Sequence, residues 1–377
     1  MTLPGSPPMA PLLLSVPILA RVFDSVDPRF RQITLDDLTI VKENGSMRSW
    51  TSSSGSVGLG ENAEVGDLAE FEAFLNAGGV VEPGDDIPAP YRKEVFRFIE
   101  MHANSELFGG LCERYWVSRA PGLHRKMAFL AKTQDEIGHA HLLYMVAADL
   151  GLKTRQQMMD DLLAGRTKFH NVFHYKTHTW ADQIVIAFLV DAAALTTQQA
   201  VLKNCSYGPY RRILRRIVSE EGFHMRHGEE MLLTLADGTQ IQRDLFQDAL
   251  NRWWEAVMHF FGPPTKANDL LLRWKIKSET NEALRDKFVQ KFVPMLHDYG
   301  FTIPDSDLHQ NAEGRWVIGE IDWSALSATQ SNVGEDSAER IALARSSWTN
   351  TDWVRSSLGL TDESASKLSS DPARVAA

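Results

Sequence analysis

Cysteine is scarce in this chain, with only Cys112 and Cys205 among 377 residues. Two thiols cannot build a disulfide framework or a cysteine-rich zinc or iron–sulfur site, and they suit a reducing compartment. Positive charge is also short: 39 Lys and Arg stand against 49 Asp and Glu, for a net charge of −10. That balance excludes nucleic acid as the main partner, because phosphate binding needs a basic surface. Long hydrophobic runs are missing too. The longest in the body of the chain, residues 184–195, falls short of the ~20 residues of a membrane span and contains Asp191. An apolar run at residues 11–20 has no Lys or Arg before it and is broken by Pro17, so it reads as a tail and not as a secretion signal. The expectation is a soluble cytoplasmic protein with no membrane contact.

Helix dominates the rest. Residues 1–87 read as a partly disordered extension, with a Ser/Gly segment at 51–60 and a short helix at about 65–75. From Tyr91 the pattern turns helical, with Val95, Ile99, His102, Glu106, Gly109 and Glu113 at steps of three and four, the period of a helix face. Further helices are expected at about 123–150 (ended by Gly151), 155–164, 180–204, 210–235, 243–261 and 281–299, the last kinked at Pro294. Residues 169–179 read as a loop rich in aromatics and histidine, and the chain after Gly300 as an irregular tail with a short strand near 315–319. The fold class is therefore all-α, with a helical domain over 88–300 and a partly irregular segment over 301–377.

Within this frame stand two copies of Glu-x-x-His, Glu136-Ile-Gly-His139 and Glu221-Gly-Phe-His224. Residues three apart share a helix face, so each pair presents an oxygen and a nitrogen in one direction. Each has an acid on an earlier helix at the same distance: Glu106 lies 30 residues before Glu136, and Asp191 lies 30 before Glu221. A lone Glu-x-x-His is usually a solvated helix face, but a repeated set with matched upstream acids is not. Asp191 sits among apolar neighbours on every side, where a carboxylate is costly unless paired or metal-bound. Four carboxylates and two imidazoles form the ligand set of ferritin-like di-iron bundles, and hard oxygen ligands suit iron or manganese. The candidate metal ligands are Glu106, Glu136, His139, Asp191, Glu221 and His224. Asp135 and Glu220 precede the two motifs and are candidates to accept the outward N–H of the histidines, each serving that of the opposite pair.

The segments that carry these residues, 102–106 (HANSE), 118–144, 169–182, 188–195 (FLVDAAAL), 206–217 and 219–235, resemble the catalytic A-type subunits of phenylacetyl-CoA epoxidases, ferritin-like di-iron monooxygenases. So do RWKIKSETNEALRDKFV, IDWSAL and ERIALARSSW further on; the likeness covers about residues 85–360. It implies the same six ligands, two irons, O₂, and electrons from NADPH through a separate flavin/iron–sulfur reductase. It also implies an aryl acyl-CoA substrate whose ring is epoxidised, and two companions, a structural C-type subunit with a bridging B-type one. Ala140 departs from the Gly that often follows the first motif, and the long extension is atypical. For the CoA, Arg97, Lys168 and Lys275 are the candidate cations and Phe169 a candidate platform for adenine. Gly109, Gly110 and Gly138 near the ligands leave room for a small molecule or serve close packing. Two other readings of the ligand set are an epoxidase for another thioester, such as benzoyl-CoA, and a ferroxidase or metal-storage protein.

Overall fold

A computed structural model describes residues 65–349. The Ser/Gly segment expected at 51–60 lies outside them, while the short helix expected next is present as α1, Val65–Asn76. Pro88 caps α2, Ala89–Val117, and Pro90 lies in its first turn, where a missing N–H costs nothing. A short loop leads to α3, Gly122–Ala148. Gly151 just beyond α3 takes φ +75°, a left-handed turn that favours glycine. A Thr154–Gln157 capping box starts α4, Arg155–Leu163.

Helix α5 runs Trp180–Asn204 and is re-phased by a π turn at Ile186–Val190. Helix α6 follows at Gly208–Ala236 and α7 at Gln240–Phe260. The remaining elements are α8 (Leu270–Arg273), α9 (Asn281–Asp298, with Pro294 inside it), a hairpin of β1 (His309–Gln310) and β2 (Trp316–Val317), α10 (Ser324–Gln330) and α11 (Ser337–Thr349). The protein is all-α apart from that hairpin among the described residues, with the ferritin-like bundle made by α2, α3, α5 and α6.

Side-chain contacts fix how these four helices run. Lys132 meets Glu113 and His139 meets Glu106, so α2 and α3 are antiparallel. His224 meets Asp135 and Glu220 meets His139, so α3 and α6 are antiparallel too. Helix α5 alone among the described residues is long and apolar enough to cross a membrane, and 78% of its apolar window is buried inside the protein. It is the core helix of the bundle. The loop from α5 to α6 is held by a bridge between Val81 and Tyr207 and by the Tyr91 hydroxyl on Ser206 Oγ (2.8 Å).

The tail departs from expectation, because residues 324–330 and 337–349 are helical. Few apolar residues mark them in sequence; the helices form against a tertiary partner. Ser337 Oγ pairs with His174 Nδ1 (2.8 Å), Arg340 donates to the Phe173 carbonyl (3.1 Å) and Lys176 pairs with Asp336 (3.1 Å). Helix α11 thereby clamps the loop at 171–176.

The π turn has a packing consequence. Gly228 of α6 lies against the backbone of Ala187 and Phe188, and a Cβ there would overlap the Ala187 carbonyl oxygen. Neither partner is a side chain that can swing away. Gly228→Ala is expected to cost about 3 kcal/mol or more, seen as a lower thermal midpoint of the metal-free protein. An unchanged midpoint would show that α6 does not seat on the turn this closely.

Candidate metal centre

The six acids and histidines converge in the bundle interior, and all six are at least nine-tenths buried. Glu106 comes from α2, Glu136 and His139 from α3, Asp191 from α5, and Glu221 and His224 from α6. Asp191 is the first residue after the π turn, whose extra residue rotates the helix face beyond it. Ligand atoms of Glu106, Glu136, His139 and Glu221 lie within 4.8 Å of one another, as do those of Asp191, Glu221 and His224. Glu221 belongs to both groups, so the arrangement offers two adjacent cation positions with a shared carboxylate.

The outward ring nitrogens settle how the histidines face. His139 Nε2 is 2.7 Å from Glu220, and His224 Nε2 is 3.1 Å from Asp135. Each imidazole donates to a carboxylate at the bundle surface, which fixes the tautomer and leaves Nδ1 as the inward lone pair. His139 Nδ1 is 3.3 Å from Glu106, and His224 Nδ1 is 3.4 Å from both Glu136 and Glu221. His224 Nδ1 is buried with no hydrogen-bond partner, the condition expected of a group arranged for a cation, while Asp191 Oδ2 meets the Lys132 ammonium at 3.3 Å.

Without a cation the charges rearrange around protons. Burial disfavours the charged form of His139, but Glu106 and Glu221 push its pKa up to about 11. His224 is likewise raised well above its ordinary value despite burial, by Glu221, Asp135 and Glu136. Burial raises Asp191 well above the usual carboxylate range, against the pull of Lys132. Glu221, opposed by burial and by Glu136, is drawn down to about 2 by His224 and His139.

Lys132 and Glu113 belong to this site and were not singled out from sequence. Lys132 Nζ is 2.5 Å from Glu136, 3.1 Å from Glu113 and 3.3 Å from Asp191, and it is 4% exposed. Burial opposes its charge, yet Asp191, Glu113 and Glu136 hold its pKa well above the ordinary value. The spacing held a signal: Lys132 is seven residues before His139 and Glu113 seven after Glu106, two turns along the same faces. His102, one turn before Glu106, joins the network through Glu106 (2.7 Å) and Tyr210 (2.8 Å).

A cavity of about 390 Å³ opens from the cluster. Glu106, Glu113, Lys132, Glu136, Asp191 and Glu221 form one part of its wall, and Phe98, Phe173, Val190, Phe260 and Leu271 are among its apolar residues. Gly109 lines it beneath Phe173, Gly110 is packed against Glu136 and Ile137, and Gly138 faces open space.

None of the four residues assigned to CoA lines this cavity. Phe169 is fully buried and stacked between Phe108 (3.9 Å) and His174 (4.0 Å). Both ring faces are covered, so it offers no platform for a base. Lys275 takes φ +57°, and its carbonyl accepts from the Ser206 N–H (2.8 Å). That turn places Lys277 in the cavity wall instead, 6% exposed and donating to Asn281 (2.8 Å). Arg97 and Lys168 are exposed, Arg97 in an ion pair with Glu94 (2.9 Å).

Fold and donor set together define a helical-bundle protein with a carboxylate- and imidazole-lined interior site. Residues 47–353 match the family described as phenylacetic acid catabolic protein, and the chain belongs to it. It is 42% identical over 291 residues to the A-type subunit of the 1,2-phenylacetyl-CoA epoxidase of Escherichia coli K12, a match covering 76% of this chain and 93% of that protein.

Proposed function

We propose that this chain is the oxygen-activating subunit of a multicomponent monooxygenase that epoxidises the ring of phenylacetyl-CoA. The observation that supports it most is the placing of the buried donor set in the wall of an otherwise largely apolar cavity. Glu106, Glu136, His139 and Glu221 would hold one iron, and Asp191, Glu221 and His224 the other. When bound, such a pair supplies O₂ reduction and transfer of one oxygen atom to an aromatic ring. The protein does the rest. Glu220 and Asp135 hold the imidazoles in the metal-binding tautomer. Lys132 offsets part of the carboxylate charge. The aromatic walls keep water from the acyl group. Lys277 is the cation offered to the ligand within the cavity, while Arg97 and Lys168 stand outside for the part of the CoA that remains exposed.

Electrons from NADPH through a flavin/iron–sulfur reductase, and C-type and B-type companion subunits, complete this reading, which also places the enzyme in the cytoplasm. Turnover of a panel of aryl-CoA thioesters by the iron-loaded chain with co-expressed subunits and a reductase tests it. Oxygenated phenylacetyl-CoA is the expected product. Product from benzoyl-CoA alone would move the substrate assignment, and no oxygenated product from any thioester would overturn the reading.

The charge state of the free site gives a pH prediction. Both histidines sit above neutrality in the metal-free protein, yet ligands must bind as neutral imidazoles. Asp191, raised by burial, must likewise be ionised to bind, so iron loading at pH 7 is expected to release about two protons per chain from the histidines and a further contribution from Asp191 into weakly buffered solution, and iron affinity is expected to fall as pH drops. Loading with no proton release would contradict the ligand assignment.

A further inference from the structure

Most polar side chains on the cavity wall are already engaged. Ser105 donates to the Met101 carbonyl (2.6 Å), Thr197 to the Ala193 carbonyl (3.1 Å) and Asn171 to the Ala256 carbonyl (2.9 Å), while His259 Nε2 meets the Asp322 carbonyl (2.6 Å). Gln198 differs. It lines the cavity, is 6% exposed, and touches one group only, His102 Nε2 at 3.3 Å. As placed, the amide nitrogen faces His102 and Oε1 is buried without a partner, but nitrogen and oxygen of an amide are told apart by their hydrogen-bond neighbours.

The neighbours decide which end that is. His102 Nε2 is 2.7 Å from Glu106, and a carboxylate that binds metal can only accept. The proton therefore sits on His102 Nε2, and Nδ1 accepts from the Tyr210 hydroxyl at 2.8 Å. An N–H of Gln198 cannot bond to a nitrogen that is itself a donor. The amide that satisfies the contact turns its oxygen toward His102 and leaves its NH₂ for the cavity. A buried donor without an acceptor is costly, so the site calls for a ligand oxygen.

Its position points to which oxygen. Gln198 follows Asp191 by seven residues on one helix, about 10 Å along the axis at 1.5 Å per residue. An aryl ring set against the metal site brings its thioester carbonyl, two bonds from the ring, to that level of the cavity. Resting on the reading above, we infer that the Gln198 carboxamide donates to the thioester carbonyl and so sets how deeply the acyl group enters. Gln198 is a specificity-determining residue: it distinguishes an acyl thioester from an equally long, equally apolar ligand without the carbonyl.

The test compares phenylacetyl-CoA with S-(2-phenylethyl)-CoA, the thioether in which the carbonyl is a methylene. Calorimetry on the full-length, iron-loaded chain under anaerobic conditions gives both affinities without turnover. Wild type is expected to bind the thioester about tenfold more tightly, the effect of one hydrogen bond to a buried donor. Gln198→Leu and the near-isosteric Gln198→Met, neither of which carries an N–H or O–H there, are expected to bring the two ligands within about twofold of each other. The thioether affinity should stay at the wild-type value, which also shows that the variants fold. Retention of the wild-type ratio in both variants would overturn the proposal, as would equal loss of both ligands. If wild type bound neither ligand, the acyl-CoA reading itself would fall. If it bound both equally, only the role of Gln198 would.

Discussion

Replacing Glu221 with alanine is expected to strip iron from the site and abolish oxygenation. Glu221 is the one carboxylate present in both groups of converging ligand atoms, and each histidine also depends on it, with His224 Nδ1 at 3.4 Å and His139 Nδ1 at 3.6 Å. Removing a partner that merely orients a ligand typically costs 10–100-fold in metal affinity. Loss of a shared ligand should exceed that, so iron content measured after gel filtration should fall from about two per chain toward zero. Glu220→Gln provides the contrast. It touches the adjacent residue of α6, weakening the acceptor behind His139 and an exposed ion pair with Arg216 (3.0 Å), so the expected loss is about 10–100-fold in affinity with both positions still fillable. Two irons retained in Glu221→Ala would remove the shared carboxylate from the account.

The second large effect concerns Lys132. Its ammonium lies among Glu113, Glu136 and Asp191 in a buried interior, and breaking a buried charge network from one side typically costs about 3–5 kcal/mol. Lys132→Met is expected to destabilise the metal-free protein by that order in denaturant titrations at pH 8. The pH dependence has a definite sign. Losing the cation raises Glu113 and Asp191, already lifted by burial, further above their unfolded values, and removes the charge that helps hold Glu136 below its own. The folded variant then takes up protons more readily, and its deficit shrinks as pH falls toward 5. Bound metal supplies the missing positive charge, so iron loading should also narrow the gap. A deficit that is the same at both pH values and with metal would mean that Lys132 acts through packing alone.

Much of this site is legible in the sequence, for a physical reason. Glu136/His139 and Glu221/His224 repeat a helical spacing with Glu106 and Asp191 at matched distances, and a charged group in an apolar helix face needs a cause. The outer carboxylates were legible as well, because an acid directly before each motif falls on the side of the helix facing its neighbour. Lys132 was not, since a helix lysine ordinarily lies in solvent, and only the tertiary structure shows three acids around it. The π turn at 186–190 leaves no trace in a window that is apolar at every position, because such a window carries no phase. Phe169 and Lys275 show the limits for a ligand site. Residue type suggested stacking and charge, but the covered ring faces and the left-handed backbone at Lys275 arise from packing that spacing does not encode.

Anomalous diffraction at the iron absorption edge, from crystals of the iron-loaded chain, tests the central claim most directly. Two peaks are expected inside the bundle, one among Glu106, Glu136, His139 and Glu221 and the other among Asp191, Glu221 and His224, with Nδ1 of each histidine toward the metal. Peaks at the protein surface, or none between these helices, would contradict it.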